Sequence, residues 1–135
     1  MRFIWCGRLN EMITGLDQLF LEVNSLEESL NFYGEILGFE TESNNHDAEP
    51  PIASVKAGSL RITLVQQIET MLKRGRGVHF VLSVADVDIF YERLRNSAIP
   101  VSEPRDEGWG GRFFSLQDPD GYQLFFVTWK PPIVS

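Results

Sequence analysis

Two stretches of the chain repeat one pattern. In Gln18–Val23, Leu19, Leu21 and Val23 alternate with Gln18, Phe20 and Glu22; in His79–Val84, Phe80, Leu82 and Val84 alternate with His79, Val81 and Ser83. Side chains in a strand change face at every residue, so each stretch predicts a strand with one face for the core. Each then runs into a helical pattern, through Val23-Asn24-Ser25-Leu26 in the first case and Val84-Ala85-Asp86-Val87 in the second, a separation of 84 − 23 = 61 residues. Repetition at a fixed spacing predicts a duplicated supersecondary unit.

Within the first unit, Ser25 and Glu28 form a capping box, and Leu26, Leu30, Tyr33 and Leu37 recur on one helical face up to Gly38, which is placed to end the helix. Phe39 to Ser43 predicts a strand, and the polar run Asn44 to Pro51 a turn or mobile lid. Ile52 to Lys56 and Leu60 to Gln66 predict a hairpin about Ala57-Gly58-Ser59. On its second strand Leu60, Ile62 and Leu64 share one face, leaving Arg61, Thr63 and Val65 on the other.

Ile68 to Arg76 reads as a link between units, with Lys73-Arg74-Gly75-Arg76 as a solvated loop. The second helix begins at the cap Asp86 and aligns Val87, Phe90, Tyr91 and Leu94. Extended chain resumes at Ile99-Pro100-Val101, and a strand opens at Trp109-Gly110-Gly111 and runs to Leu116. Asp118-Pro119-Asp120-Gly121 is a turn, and Tyr122 to Trp129 is the closing strand. Residues 1–11 show no period and read as an N-terminal extension to a single domain over 12–135, whose modules span about 15–67 and 76–129.

Composition removes several classes. At 135 residues the chain has the size of one domain, and with 43% hydrophobic and 23% charged residues it needs no staple to form a core. The single cysteine, Cys6, forms no internal disulfide, and there is neither a leader pattern nor an apolar run of membrane-spanning length, so a cytoplasmic protein is expected. A net charge of −7 without a basic patch argues against nucleic acid and weakly favours a cationic small molecule.

Strand, helix and three strands, taken twice, with Val23-Asn24-Ser25-Leu26-Glu27-Glu28-Ser29-Leu30-Asn31-Phe32-Tyr33 through Leu37-Gly38-Phe39 and with Phe113-Phe114-Ser115-Leu116-Gln117-Asp118-Pro119-Asp120-Gly121-Tyr122, resembles the vicinal oxygen chelate superfamily. That superfamily holds glyoxalases, bleomycin-resistance proteins, fosfomycin-resistance enzymes and extradiol dioxygenases. The resemblance covers about Gly15 to Thr128. It implies an α+β fold of two tandem βαβββ modules, forming a curved, half-barrel mixed sheet with helices outside. It also implies a concave ligand face and a homodimer as a common state.

In metal enzymes of the superfamily the ligands come from the concave faces of the first, fourth, fifth and last strands. Here those positions fall on Gln18, Thr63, His79 and Phe125. Gln18 and His79 retain ligand chemistry, whereas Thr63 and Phe125 replace glutamates. A catalytic divalent ion needs about three protein ligands, so no metal or other cofactor is expected, with Gln18 and His79 the candidates should a divalent ion bind. Glu22 shares their face but lies about 13 Å from Gln18 along the strand, and His46 belongs to a loop away from these positions.

The expected ligand face therefore comprises Gln18, Phe20, Glu22, Arg61, Thr63, His79, Trp109 and Phe125. Arg61 would either clamp an anion or pair with a local acid, and the rings offer planar walls for an aromatic ligand. The expectation is a metal-independent small-molecule-binding protein similar to the bleomycin-resistance branch, with no catalytic residues. Its alternative is a lyase, isomerase or dioxygenase using a degenerate metal site at Gln18 and His79. A third possibility is an interaction module whose dimer surface is its function.

Overall fold

The structure, a computed structural model, describes residues 12–68, 74–108 and 110–129. The first unit runs β1 (Leu19–Val23), α1 (Leu26–Leu30), a π-helical continuation (Asn31–Ile36), β2 (Glu40–Asn45), β3 (Ile52–Ala57) and β4 (Leu60–Gln66). The second runs β5 (His79–Ser83), α2 (Val87–Leu94), β6 (Arg105–Asp106), β7 (Gly111–Gln117) and β8 (Gln123–Trp129). This is an α+β fold with two open, mixed four-stranded sheets in the equivalent orders β1-β4-β3-β2 and β5-β8-β7-β6. In each, the first strand pairs parallel with the last, Phe20 opposite Thr63 and Val81 opposite Phe125, while the other pairs are antiparallel.

The duplication is visible in the caps. Ser25 accepts the Glu28 amide at its hydroxyl, and Asp86 accepts the amides of Asp88 and Ile89, at an offset of 86 − 25 = 61 residues. Such caps satisfy amides that a helix leaves without internal partners.

The first helix departs from a regular α pattern. The Leu37 amide bonds to the Phe32 carbonyl, five residues back, before Gly38 at φ +81° ends the helix. The wider turn buries both Phe32 and Tyr33, while Leu30, expected on the buried face, is only half-buried. β2 also reaches Asn45, so the expected loop begins two residues later than its polar composition implies; Asn44 and Asn45 pair with Ala53 and Ile52.

Leu21, Val23, Tyr33, Val55 and Leu64 from the first unit join Leu94, Phe114, Leu124 and Phe126 from the second in one buried cluster. The turn after β7 ties the units together with polar bonds. Asp118 takes the Asp120 and Tyr122 amides on Oδ1, each at 2.9 Å, and the Tyr33 hydroxyl on Oδ2 at 2.6 Å. Asp120 takes the Asn24 amide at 2.9 Å, and the Tyr122 hydroxyl donates to the Glu22 carbonyl at 3.2 Å. Burial pushes the Asp118 carboxyl above its ordinary value against those hydrogen bonds, and raises the Tyr33 phenol, which stays a neutral donor.

Arg74 corrects the reading of its segment as a solvated loop. Its side chain is 2% exposed, whereas Arg76 is exposed and Lys73 lies outside the described residues. The physical reason is acceptor chemistry brought in from elsewhere in the chain: Glu22, Asn24 and the Gln67 carbonyl surround the guanidinium. Gly75 beside it packs so closely on the Asp118–Gly121 turn that a Cβ there would meet the Gly121 carbonyl oxygen at 1.9 Å.

Candidate functional site

Alternation sets the site. On β1, Leu21 and Val23 are buried beneath the sheet while Phe20 and Glu22 stay exposed on the other side; Gln18, expected within the strand, lies one residue before it and is also exposed. On β5, Phe80 is buried, with His79, Val81 and Ser83 exposed opposite it. Three large apolar side chains on these outer faces remain open: Phe20 at 62%, Val81 at 60% and Trp129 at 53% exposure. Exposure is uneven across these faces, for Thr63, Val65 and Val127 on the same sides of their strands are buried.

The four positions at which related metal enzymes would bind an ion form two local pairs. Thr63 donates its hydroxyl to the amide oxygen of Gln18 at 2.5 Å. In the equivalent place of the second unit the His79 and Phe125 rings lie 5.5 Å apart, tilted by 35°. The first contact takes one lone pair of the oxygen through which Gln18 would ligate; the second sets a hydrocarbon ring beside the His79 imidazole. No group of three His, Cys, Asp or Glu side chains able to hold a metal ion occurs among the described residues, and of the four positions Gln18 and His79 alone carry ligand chemistry, fewer than the roughly three ligands of a catalytic ion. His46 is exposed, 3.7 Å from Asp47.

The remaining expected residues divide. Arg61 is already paired, its Nε 2.6 Å and Nη2 3.3 Å from the Glu42 carboxylate. Bonding to Arg61 lowers the Glu42 carboxyl below its usual range and raises the guanidinium correspondingly. Glu22 accepts from Arg74 at 3.2 Å. Trp109 lies outside the described residues, as does Cys6.

Sequence reasoning missed Phe113, whose ring centre is 5.7 Å from that of Phe125. The pairings Phe113 with Val127 and Ser115 with Phe125 put β7's alternate residues on the same face as His79 and Phe125. The missing signal was the phase of β7, which Gly110 and Gly111 obscure. His79, Phe125 and Phe113 form a row of rings across three strands, while the first unit's face carries Gln18, Glu22, Arg61 and Thr63. A cleft of about 530 Å³ between Leu37, Gly58, Leu60, Val84 and Phe90 reaches Val81 and Ser83 at the far end of β5 but none of the residues of this row or of the first unit's face. No helix among the described residues is long and apolar enough to cross a membrane.

Comparison with known proteins agrees with the fold. The family model for the Glyoxalase/Bleomycin resistance protein/Dioxygenase superfamily matches residues 15–126. Among solved structures, the antibiotic binding protein TnmS3 from Streptomyces sp. CB03234 is similar at 25% identity and a TM-score of 0.73, covering 87% of this chain and 98% of that one. A glyoxalase/bleomycin resistance protein from the same organism is similar at 27% identity and TM-score 0.66, covering 82% and 98%. A glyoxalase/bleomycin resistance protein/dioxygenase domain from Frankia sp. EAN1pec, at 21% identity, TM-score 0.74 and coverage of 87% and 99%, shares the fold. No functionally curated protein matches the chain.

Proposed function

The chain belongs to the glyoxalase/bleomycin resistance protein/dioxygenase superfamily, and from that premise we propose that it is a metal-independent small-molecule-binding protein of the bleomycin-resistance kind. It holds its ligand on the outer faces of β1, β4, β5 and β8 without reacting with it. The observation that carries this reading is the pair of contacts at the former metal positions, Thr63 on Gln18 and Phe125 on His79. Both leave these positions better suited to contacting an organic ligand than to holding an ion. Binding rests on apolar burial against Phe20, Val81, Phe113 and Phe125, with Gln18, Glu22 and His79 orienting the polar part of the molecule. The similarity to an antibiotic binding protein supports an antibiotic as the class of ligand.

The protein works as a homodimer in this reading. Open apolar side chains on β1, β5 and β8 would be covered when a second copy closes over the face, enclosing the ligand.

Elemental mass spectrometry of freshly purified protein, beside the His79→Ala variant, tests metal independence. The expected result is no stoichiometric divalent metal and no thermal stabilisation by zinc, nickel, manganese or iron. Near-stoichiometric metal that disappears in His79→Ala overturns the proposal in favour of a lyase, isomerase or dioxygenase. A thermal-shift screen of aromatic compounds tests binding itself, since a ligand at 100 times its Kd stabilises by about 2.7 kcal/mol.

A further inference from the structure

Arg74 sits between two carboxylates. Its Nη1 donates to Glu22 Oε2 at 3.2 Å, its Nε and Nη2 donate to Asn24 Oδ1 at 3.2 and 3.1 Å, and Nη2 also reaches the Gln67 carbonyl. Its Nε lies 3.9 Å from Asp120 Oδ1. One cation against two anions leaves the group with a charge of 1 − 2 = −1. Asp120 cannot present that charge to a ligand, because its side chain is 3% exposed and accepts the Asn24 amide and the Ser29 hydroxyl. Glu22 can present it, being 58% exposed on the open face of β1.

Two residues earlier on the same face stands the exposed ring of Phe20, about 7 Å away along the strand. A guanidinium that is itself buried and held by three other acceptor groups fixes one oxygen of Glu22, so this carboxylate keeps one direction where a free surface glutamate would sample many. An exposed ring and an oriented carboxylate at that spacing match a flat aromatic body with a cationic nitrogen at one end.

We propose that Glu22 is the specificity-determining contact of the ligand face and selects aromatic cations, with Arg74 as the positioning residue that holds it. The proposal rests on the binding reading above and names its ligand class. Long-range attraction from the net charge of −7 would draw any cation, so the contact must be separated from the field. Raising salt from physiological strength to about 1 M shortens the screening length from about 8 Å to about 3 Å, which removes the field and leaves a contact preference.

The test titrates 9-aminoacridine, protonated near neutral pH, and acridine, neutral there, against the full chain at both salt concentrations. Wild type is expected to bind the cation at least about fivefold more tightly than the neutral ring at high salt. Glu22→Gln brings that ratio near one, while Glu27→Gln, an exposed helix carboxylate carrying the same change in net charge, keeps it. Arg74→Lys, which retains the charge but loses the planar fork, lowers the ratio at a temperature well below its unfolding transition.

A ratio that survives Glu22→Gln, or falls equally in Glu27→Gln, overturns the assignment to Glu22. An unchanged ratio in Arg74→Lys overturns the positioning role. Binding of neither acridine overturns the ligand class, while the binding reading stands if another compound in the thermal-shift screen stabilises the protein and fails with it if none does.

Discussion

Tyr33→Phe removes one oxygen and almost no volume, which makes it a clean probe of the bond that joins the two units. The Tyr33 hydroxyl gives Asp118 Oδ2 a 2.6 Å hydrogen bond inside the core. Hydrogen bonds to charged groups contribute about 1.5–3 kcal/mol, so the variant is expected to lose about 2 kcal/mol at neutral pH. With a urea m-value of about 2 kcal/mol/M, the unfolding midpoint falls by about 1 M with the slope unchanged.

The pH dependence supplies a second check. Burial raises the folded-state pKa of Asp118 above its ordinary value of 3.8. The folded protein therefore binds this proton more tightly than the unfolded chain does. The stability linked to it is full below 3.8 and is lost as pH rises through the folded pKa. Without the Tyr33 donor that folded pKa moves higher still, so the deficit of Tyr33→Phe grows as Asp118 ionises. In acid, where Asp118 is neutral in both states, the deficit shrinks towards a neutral hydrogen bond, about 1 kcal/mol. A midpoint shift below about 0.3 M at neutral pH, or one equally large in acid, would refute the charged-acceptor argument.

Three other perturbations test separate contacts. Arg74→Met strands the buried Asp120 carboxylate without its cation and is expected to cost about 3–5 kcal/mol by chemical denaturation. Gly75→Ala drives a methyl into the Gly121 backbone and should destabilise by about 3 kcal/mol, whereas Gly108→Ala, with nothing within 4 Å, should stay within about 0.5 kcal/mol of wild type in the same assay. Val81→Asp places a charge on an already exposed side chain, so circular dichroism should be unchanged while light scattering reports monomers in place of the proposed dimer.

Much of the architecture was legible because it follows from short-range rules. Ser25 and Asp86 cap as their chemistry dictates, the hairpin turns at Gly58-Ser59, and the β1 and β5 alternations bury Leu21, Val23 and Phe80. The π turn was not legible, because the spacing of Leu26, Leu30, Tyr33 and Leu37 suits a regular helix equally well and only the Phe32–Leu37 bond distinguishes them. Arg74 was misread for a different reason. Its acceptors come from residues 22, 24, 67 and 120, and no local window contains them.

The site divides along the same line. Strand alternation puts Phe20, Glu22, Thr63, His79 and Phe125 on the faces expected from the sequence, with Gln18 just before β1. The partner that engages Arg61, Glu42, sits in a part of β2 offset by an irregularity between Thr41 and Ser43, which breaks the simple count of faces.

The bonds from the Asp118–Tyr122 turn to the first unit also order events during synthesis. Tyr33 waits 85 residues for Asp118, Asn24 waits 96 for Asp120, and the Glu22 carbonyl waits 100 for the Tyr122 hydroxyl. At about 5–20 residues per second a ribosome needs several seconds or more to make that span. Through that interval the first βαβββ unit has its helix and sheet encoded but lacks partners for these three groups. A nascent chain arrested before Asp118 should therefore be cut readily by protease in its first half, and one arrested with Tyr122 clear of the exit tunnel should resist.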